Sequence, residues 1–482
     1  MNNKFLSMSF TAAVAFLAIP GTSRAGLYNI DTTFSNSGRF NWTTPGSDFR
    51  MLAHLALPGG RSIAITTYDN NGCPNGRHCF ALYPYNASGQ GEAVITLPTN
   101  LSFSKRTGGV VLDPYLVKAA AVDSQGRIVI AGTEQFGTVF QFKAIRLLPT
   151  GYVDTSFGVS GVATPGSFTA QNLDIAEAMA IDGSDRVIIA GSAKFASAND
   201  TDFAVMRLTS TGALDTNFSG DGKLTISFDL AGLGSDGATA VGIRTGGQIY
   251  LAGTADDAGV VRIGLVKVLP AGTLDVNFCP TTCNFQGPYT NINNGRRVLY
   301  LGDVADNQSD FVKSLAVNVS GEMIYAGLHQ YPNLDFRLFT QKVSLTGEYL
   351  TEGLTNVGFT GPQTSTIGGI RYFDPSSGTS SLVFTGTTGP NGEYFFVQFL
   401  SNSMVPIPNW GNSGTNLSAF VYTAFGTPTG NQQNLPSIPT TDANARVLVG
   451  GSWPPSGGGN YSINVTRLAP VSPFDQIFAN GF

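Results

Sequence analysis

The chain has 482 residues, of which only 12% are charged, against roughly 25% in typical soluble domains. It contains 59 Gly and 25 Pro, and its formal net charge is -5. This composition argues against a mainly helical protein, and the 42% of apolar residues argues against disorder. No basic run is present to neutralise phosphates, so we expect no nucleic-acid partner.

The N-terminus has the pattern of a secretory signal peptide. Lys4 supplies a positive charge, residues 5–19 are mostly apolar, and Ser23-Arg24-Ala25 places small residues where a signal peptidase cuts. We predict cleavage after Ala25, so that 1–25 is the signal peptide. The apolar stretch is shorter than the roughly 20 residues of a membrane-spanning helix, and no later stretch is long enough, so we expect no membrane span.

The four cysteines form two close pairs, Cys73 with Cys79 and Cys279 with Cys283. In an exported protein, short even spacings predict local disulfides that hold loops. A metal site is the alternative, because His78 adjoins Cys79. That alternative has little support, since the two pairs are far apart in the sequence and the chain has only 3 His.

An internal repeat of about 60 residues determines the predicted architecture. Its most complete copy, within residues 122–157, has an Asp-x-x-Gly turn, an Ile- and Val-rich stretch that ends in Ala-Gly, then Phe-x-x-x-Arg-Leu and Val-Asp-Thr-x-Phe. Seven copies can be aligned on the residue that ends the Ile- and Val-rich stretch. These residues are Thr66, Gly132, Gly191, Gly253, Gly327, Gly386 and Gly451.

Each copy has the pattern of four short antiparallel strands separated by Gly- and Asp-containing turns. Four strands in about 60 residues is the size of a propeller blade, and seven blades lie within the usual range of roughly 4 to 8. We therefore predict an all-β fold, a seven-bladed β-propeller of four-stranded antiparallel blades over residues 26–469. The segment Arg39 to Thr43 is expected to complete the last blade and so close the ring.

The repeated string resembles the delta-60 repeat, a bacterial repeat found in exported and surface proteins. The resemblance is strongest between Leu116 and Phe278 and weaker in the first and later copies. It implies a β-propeller and export. It implies no shared reaction or catalytic residue.

A cation and an aspartate eight positions apart recur within the repeat. The pairs are Arg146 with Asp154, Arg207 with Asp215, and Lys267 with Asp275. A ring of ligand-binding charges is one interpretation. We favour a structural role, in which each Asp caps backbone N–H groups of a turn and the cation covers the rim of the sheet.

Catalytic and metal-binding motifs are scarce. The sequence has neither Gly-x-Ser-x-Gly nor His-Glu-x-x-His. The turns at 219–222 and 198–202 are rich in Asp and Gly but do not match an EF-hand loop, so we predict no cofactor and keep calcium as an alternative. A glycosidase needs two facing carboxylates, and the nominal candidates are Glu92, Glu134, Glu177 and Glu322.

The C-terminal residues 470–482 are predicted to be a separate tail. They end in Ile-Phe-Ala-Asn-Gly-Phe, which resembles short terminal segments of exported proteins of Gram-negative bacteria. A sorting tag and a passive strand against the propeller are both open interpretations.

Together these features predict a monomeric binding or surface scaffold. Its expected location is the extracellular space, the cell surface or the periplasm of a Gram-negative bacterium. Its ligand would be a protein or a glycan. The alternative is a carbohydrate-directed hydrolase or lyase that uses carboxylates in the central channel.

Overall fold

Strands account for nearly all the regular structure in the described part of the chain. The computed structural model describes residues 28–35, 39–43, 50–68, 73–104, 116–171, 173–195, 200–228, 230, 234–279, 295–299, 301, 308–318, 320–330, 336–354, 366–373, 381–388, 394–401, 419–422, 435–436, 439–441, 446–453 and 462–470. The predicted signal peptide and residues 471–482 of the predicted tail lie outside these ranges.

The strands are short and follow one another closely along the chain. The first eleven are β1 (Tyr28–Ile30), β2 (Arg39–Thr43), β3 (Arg50–Ala56), β4 (Ser62–Tyr68), β5 (Arg77–Tyr85), β6 (Ile95–Thr96), β7 (Phe103–Ser104), β8 (Val117–Val122), β9 (Ile128–Phe136), β10 (Val139–Leu147) and β11 (Val162–Ala163). The next eight are β12 (Asp174–Ile181), β13 (Val187–Lys194), β14 (Thr201–Leu208), β15 (Lys223–Ile226), β16 (Gly237–Ile243), β17 (Ile249–Asp257), β18 (Val260–Val268) and β19 (Arg296–Leu299).

The remaining strands continue this order to the end of the described chain. They are β20 (Asp310–Val317), β21 (Met323–Gln330), β22 (Phe336–Val343), β23 (Tyr349–Leu354), β24 (Thr366–Phe373), β25 (Ser381–Thr388), β26 (Tyr394–Ser401), β27 (Ala419–Tyr422), β28 (Leu435–Pro436), β29 (Thr440–Thr441), β30 (Val447–Trp453) and β31 (Ser462–Pro470). Two short 3-10 turns, Pro58–Gly60 and Thr99–Leu101, complete the assignment of the described residues.

The described strands form antiparallel sheets that we number in chain order. Sheet 1 holds β3–β7, sheets 2 to 6 hold four strands each in succession (β8–β11, β12–β15, β16–β19, β20–β23 and β24–β27), and sheet 7 holds β28–β31 together with β1 and β2. The predictions of an all-β chain and of repeated four-stranded antiparallel sheets are confirmed. In sheets 2 to 6 the strands lie side by side in sequence order, so each of these sheets is a meander.

The two ends of the described chain meet in sheet 7. β1 pairs with the end of β31, from Tyr28 opposite Pro470 to Ile30 opposite Leu468. β2 pairs with the beginning of β31, from Arg39 opposite Thr466 to Thr43 opposite Ser462. The strand pairing that the sequence predicts for residues 39–43 is therefore present, and Pro470, which we assigned to the tail, is the last residue of β31.

The first strand of each sheet contacts the first strand of the next. These contacts join β3 to β8, β8 to β12, β12 to β16, β16 to β20, β20 to β24, β24 to β28 and β28 to β3. We call the end of the sheets at which these strands begin the entry face, and the opposite end, with the turns between first and second strands, the turn face.

The apolar core is divided among the junctions between neighbouring sheets. One cluster joins Ile65 and Phe80 of sheet 1 to Ile130 of sheet 2. Another joins Phe34 and Tyr85 to Val465 of sheet 7. The strands that supply these clusters carry continuous apolar runs because both of their faces are covered.

Candidate functional site

The repeated charge pairs lie on the turn face, where each aspartate caps a turn. Arg207 Nε donates to Asp215 Oδ2 at 2.8 Å, and Asp215 Oδ1 accepts the Asn217 backbone N–H at 3.1 Å. Burial alone would raise the pKa of Asp215, but the Asn217 N–H and the Arg207 guanidinium outweigh it and lower that pKa. The equivalent ion pairs are Arg146 with Asp154 at 2.7 Å and Lys267 with Asp275 at 2.8 Å.

Each of these cations also binds the following sheet. Arg207 Nη1 donates to the carbonyl oxygen of Pro270 in sheet 4 at 2.6 Å. At the neighbouring junctions, Arg146 donates to Ser210 O and Lys267 donates to Leu345 O. Each of these cations therefore already binds an aspartate of its own sheet and a carbonyl oxygen of the next. The repeated pairs are not a ring of charges left available for a ligand.

The repeated glycines lie against a distortion of the first strand. A Cβ on Gly191 would come within 1.9 Å of Ile175 O, and for Gly132, Gly253 and Gly327 the nearest backbone oxygen would be 2.3, 2.0 and 2.4 Å away. Each of these oxygens immediately precedes a register shift in the first strand of its sheet. The glycine is therefore required by the close approach of a β-bulge.

The bulge recurs at the same position in the first strands of sheets 1 to 6. At each bulge one extra residue stands opposite no partner in the second strand. We call the six extra residues the bulge ring. They are Leu52, Lys118, Glu177, Thr239, Lys313 and Gly368.

Most of the polar side chains on the described first strands that are not fully buried belong to the bulge ring. Lys118 Nζ lies 3.2 Å from Glu177 Oε2, which joins sheets 2 and 3. Thr239 Oγ1 donates to Val312 O of sheet 5 at 2.7 Å. Lys313 is exposed and has no described polar partner. Lys118, Glu177 and Lys313 are therefore charged side chains of the first strands that are at least partly exposed.

Three buried aspartates stand near the entry face, just before the bulges. Asp174, Asp236 and Asp310 accept the backbone N–H groups of Phe168, Phe228 and Leu301, each at 2.9 Å. We did not single them out from the sequence. The signal that could have found them is an Asp at or immediately before the start of these apolar first strands, two residues before a small or branched residue (Ala176, Ala238 and Val312).

The second oxygen of these carboxylates differs from sheet to sheet. In Asp310, Oδ1 lies 2.7 Å from His329 Nδ1, and burial raises the pKa of Asp310. In Asp174, Oδ1 is buried and has no hydrogen-bond partner. Burial raises the pKa of Asp174 to about 6, although the Phe168 N–H acts in the opposite direction.

The four nominal glycosidase carboxylates are dispersed, and each has a cationic partner. Glu134 is buried between Arg77 and Lys143, both at 2.9 Å. The others are Glu92 with Arg61 at 2.6 Å, Glu177 with Lys118 at 3.2 Å, and Glu322 with Lys342 at 2.8 Å. The described structure therefore holds none of them as a free acid or base.

All three histidines are buried. His54 Nε2 contacts the Tyr85 hydroxyl, and burial lowers the pKa of His54 to about 3, so the ring is neutral at ordinary pH. The described residues contain no group of three or more His, Cys, Asp or Glu able to hold a metal ion. Asp221, in one of the turns considered for calcium, accepts the Lys223 backbone N–H at 2.9 Å, and calcium binding stays an open alternative.

One predicted disulfide is confirmed. Cys73 and Cys79 are bonded to each other and hold the loop between β4 and β5. Cys279 is also disulfide-bonded, and its predicted partner Cys283 lies outside the described residues. None of the described helical segments is long and apolar enough to cross a membrane.

Comparison with known proteins agrees with this architecture. A family model described as a domain of unknown function (DUF5122), beta-propeller, matches residues 124–157, 183–218 and 247–278. These three segments are β-propeller repeats. Each begins near the turn between a first and a second strand and ends at the phenylalanine after the repeated aspartate. No curated protein matches the chain.

Several solved structures are similar to the chain at low identity. The α-L-arabinofuranosidase Arb93A from Fusarium graminearum is 11% identical, over 90% of this chain and 98% of that one, with a TM-score of 0.42. The polysaccharide lyase Uly1 is 9% identical, over 86% and 90%, with a TM-score of 0.43. Drosophila plexin A, in complex with semaphorin 1b, is 9% identical, over 89% and 86%, with a TM-score of 0.43. Likenesses at this level say nothing about activity.

Proposed function

We propose that the chain is a closed, seven-bladed β-propeller of delta-60 type and that it acts as an exported binding scaffold. Closure is supported by the contact of β28 with β3 and by the pairing of β2 with β31. It is also supported by the Ser35 N–H, which donates to Ser88 O of sheet 1 at 2.6 Å. The same bond recurs between sheets 2 and 3, where Gly158 donates to Thr211 O, and between sheets 3 and 4, where Ser219 donates to Ala271 O.

The scaffold function rests chiefly on one observation: each nominal catalytic glutamate is paired with a cation. A carbohydrate-directed hydrolase or lyase needs an acid and a base free to exchange protons with the substrate. Binding needs only a surface of fixed shape with a few polar groups. Rigid sheets that expose a partly polar ring at their inner edges provide such a surface.

Export is part of the same proposal. The Cys73–Cys79 disulfide is typical of proteins that mature in an oxidising compartment. Expression of the full chain in a Gram-negative host, followed by N-terminal sequencing of the periplasmic and released fractions, tests it. We expect the mature chain to begin at Gly26. A chain retained in the cytoplasm with its first 25 residues would contradict export.

Binding is tested by screening purified protein, residues 26–482, against glycans, protein extracts of defined composition and divalent metal ions by thermal shift. A ligand that raises the melting temperature in proportion to its concentration is the expected result. Each glycan that binds is then incubated with the protein and analysed by mass spectrometry. Cleavage of that glycan would replace the scaffold with the hydrolase or lyase, and sedimentation of the same sample tests the predicted monomer.

A further inference from the structure

The bulge ring combines a repeated backbone with side chains that do not repeat. The bulge occupies the same position in six sheets, yet its residue is apolar in sheet 1, basic in sheets 2 and 5, acidic in sheet 3 and a hydroxyl in sheet 4. A bulge leaves its extra residue outside the strand ladder and redirects its side chain. A position held only for packing would keep one kind of side chain, as the neighbouring small residues do.

Lys313 is the most distinctive member of the ring. It is exposed, whereas Val312 and Ser314 on either side of it are buried. No described carboxylate pairs with it, although acidic residues outnumber basic ones in the chain, 32 to 27. An ammonium group left open on an innermost strand offers three hydrogen-bond donors and a full charge to an anion.

Lys118 and Glu177 supply the complementary polar contact. Their ion pair joins sheets 2 and 3, and the Glu177 side chain is 33% exposed. The pair presents donors and acceptors next to each other, which suits neighbouring hydroxyl groups because a hydroxyl both donates and accepts. Sheet 5, which carries Lys313, is separated from sheet 3 by one sheet, so the two polar contacts lie apart along the ring.

Small residues lie beside the Lys118–Glu177 pair. Ala119 and Ala120 follow the bulge in β8, and Ala178 follows it in β12, all partly exposed. A ligand resting on the ring would therefore meet short side chains and a few polar groups, which is the usual composition of a small-molecule site.

We infer that the bulge ring binds a uronate-bearing oligosaccharide. A carboxylate of this oligosaccharide binds Lys313 Nζ, and the hydroxyls of a neighbouring sugar form hydrogen bonds with the Lys118–Glu177 pair. This inference rests on the proposed scaffold function and names the ligand class of that scaffold.

The test is calorimetric titration of the mature protein with a trimer of galacturonate. Matched titrations use a trimer of galactose, which keeps hydroxyls but lacks the carboxylates, and a trimer of glutamate, which keeps carboxylates but lacks the sugar. We expect the galacturonate trimer to bind and the other two to bind at least about tenfold more weakly, because each lacks one of the two kinds of polar contact.

The key variant is Lys313→Gln, with Arg61→Gln as its control. Both remove one positive charge from a side chain that meets solvent, but Arg61 lies on the turn face and pairs with Glu92. We expect Lys313→Gln to weaken galacturonate binding about tenfold without changing the melting temperature, and Arg61→Gln to leave binding unchanged.

Three results would overturn the inference: no binding of the galacturonate trimer, equal binding of the glutamate trimer, or equal loss in Lys313→Gln and Arg61→Gln. The proposed scaffold function would survive them if the thermal-shift screen finds a different ligand. If galacturonate binds and no other ligand in the screen does, the bulge ring is the only binding site that the results support.

Discussion

Arg467 and Asp31 stand 436 positions apart in the sequence and form the same ion pair that the repeat forms within eight residues. Arg467 Nε donates to Asp31 Oδ2 at 2.8 Å, and Asp31 Oδ1 accepts the Thr33 N–H at 3.1 Å. Arg467 also donates to Ala87 O of sheet 1. The two ends of the chain thus reproduce one complete junction, with Asp31 in the place of Asp215.

Removing the carboxylate of this junction should destabilise the protein strongly. In Asp31→Ala the guanidinium of Arg467, which is 3% exposed, remains buried without a carboxylate to balance its charge. We expect a loss of about 3 kcal/mol in the free energy of unfolding, measured by urea denaturation. Asp215→Ala should lose a similar amount. Asp221→Ala, at an exposed turn, serves as the control and should lose no more than about 1 kcal/mol. Urea denaturation curves of Asp31→Ala and Asp215→Ala that coincide with the wild-type curve would refute this role.

The repeated glycine should not tolerate even one methyl group. In Gly191→Ala the new Cβ would lie 1.9 Å from Ile175 O and 2.9 Å from Ala176 Cα, both backbone atoms of the bulge. We expect a loss of about 3 kcal/mol, measured by thermal and urea unfolding. Gly183→Ala, in the same sheet, meets nothing within 4 Å and should change stability little. If both variants unfold alike, the bulge does not require the glycine.

The residue after the repeat phenylalanine offers a stabilising change. Ser219 has a φ of 55°, the left-handed region, and its equivalent in sheet 2 is Gly158, with the same φ. Ser219→Gly should therefore raise stability by about 0.5 to 1 kcal/mol, read as a higher melting temperature. Ser184→Gly is the control, because Ser184 does not have a positive φ, and we expect it to lower stability slightly. A lower melting temperature for Ser219→Gly would contradict the argument.

Asp174 should make stability depend on pH in an unusual direction. Its pKa is raised from 3.8 to about 6 in the folded protein, so between these values the folded state binds more protons than the unfolded state. The contribution of this group is therefore fully present below about pH 4 and is lost as pH rises through 6. Asp174→Asn should remove this dependence.

The measurement compares wild type and Asp174→Asn by urea denaturation from pH 4 to pH 7.5. We expect the stability of wild type relative to the variant to fall by about 2 to 3 kcal/mol over this range. Other titrating groups cancel in the comparison. A difference that stays constant with pH would show that the carboxyl is not buried as a neutral acid.

The repeat made much of the fold predictable. Arg207 and Asp215 lie within one unit, so their constant spacing was enough to expect both the pair and the cap. The segment at Arg39 could be assigned to the last sheet because it follows an aspartate element, Asp31 to Phe34, that elsewhere in the repeat comes after the cation-bearing strand. In both cases the relevant contacts are local to one unit or are repeated many times.

The candidate site was harder to predict because it depends on register. The bulge does not alter the apolar pattern of β20, so the sequence does not distinguish Lys313 from any other surface lysine. Its neighbours come from other sheets, and their distances depend on how the sheets pack. Asp174 and Asp310 were missed for the same reason, since the N–H groups that they bind belong to preceding loops.

The pairing of β1 and β2 with β31 also has a consequence for how the chain reaches its final form. Residues 28–43 are synthesised long before their partner strand, residues 462–470. Sheet 7 therefore cannot be completed until residue 470 has been made, and its formation closes a loop of more than 400 residues. Because contacts so distant in sequence form slowly, we expect this last sheet to limit the rate of folding.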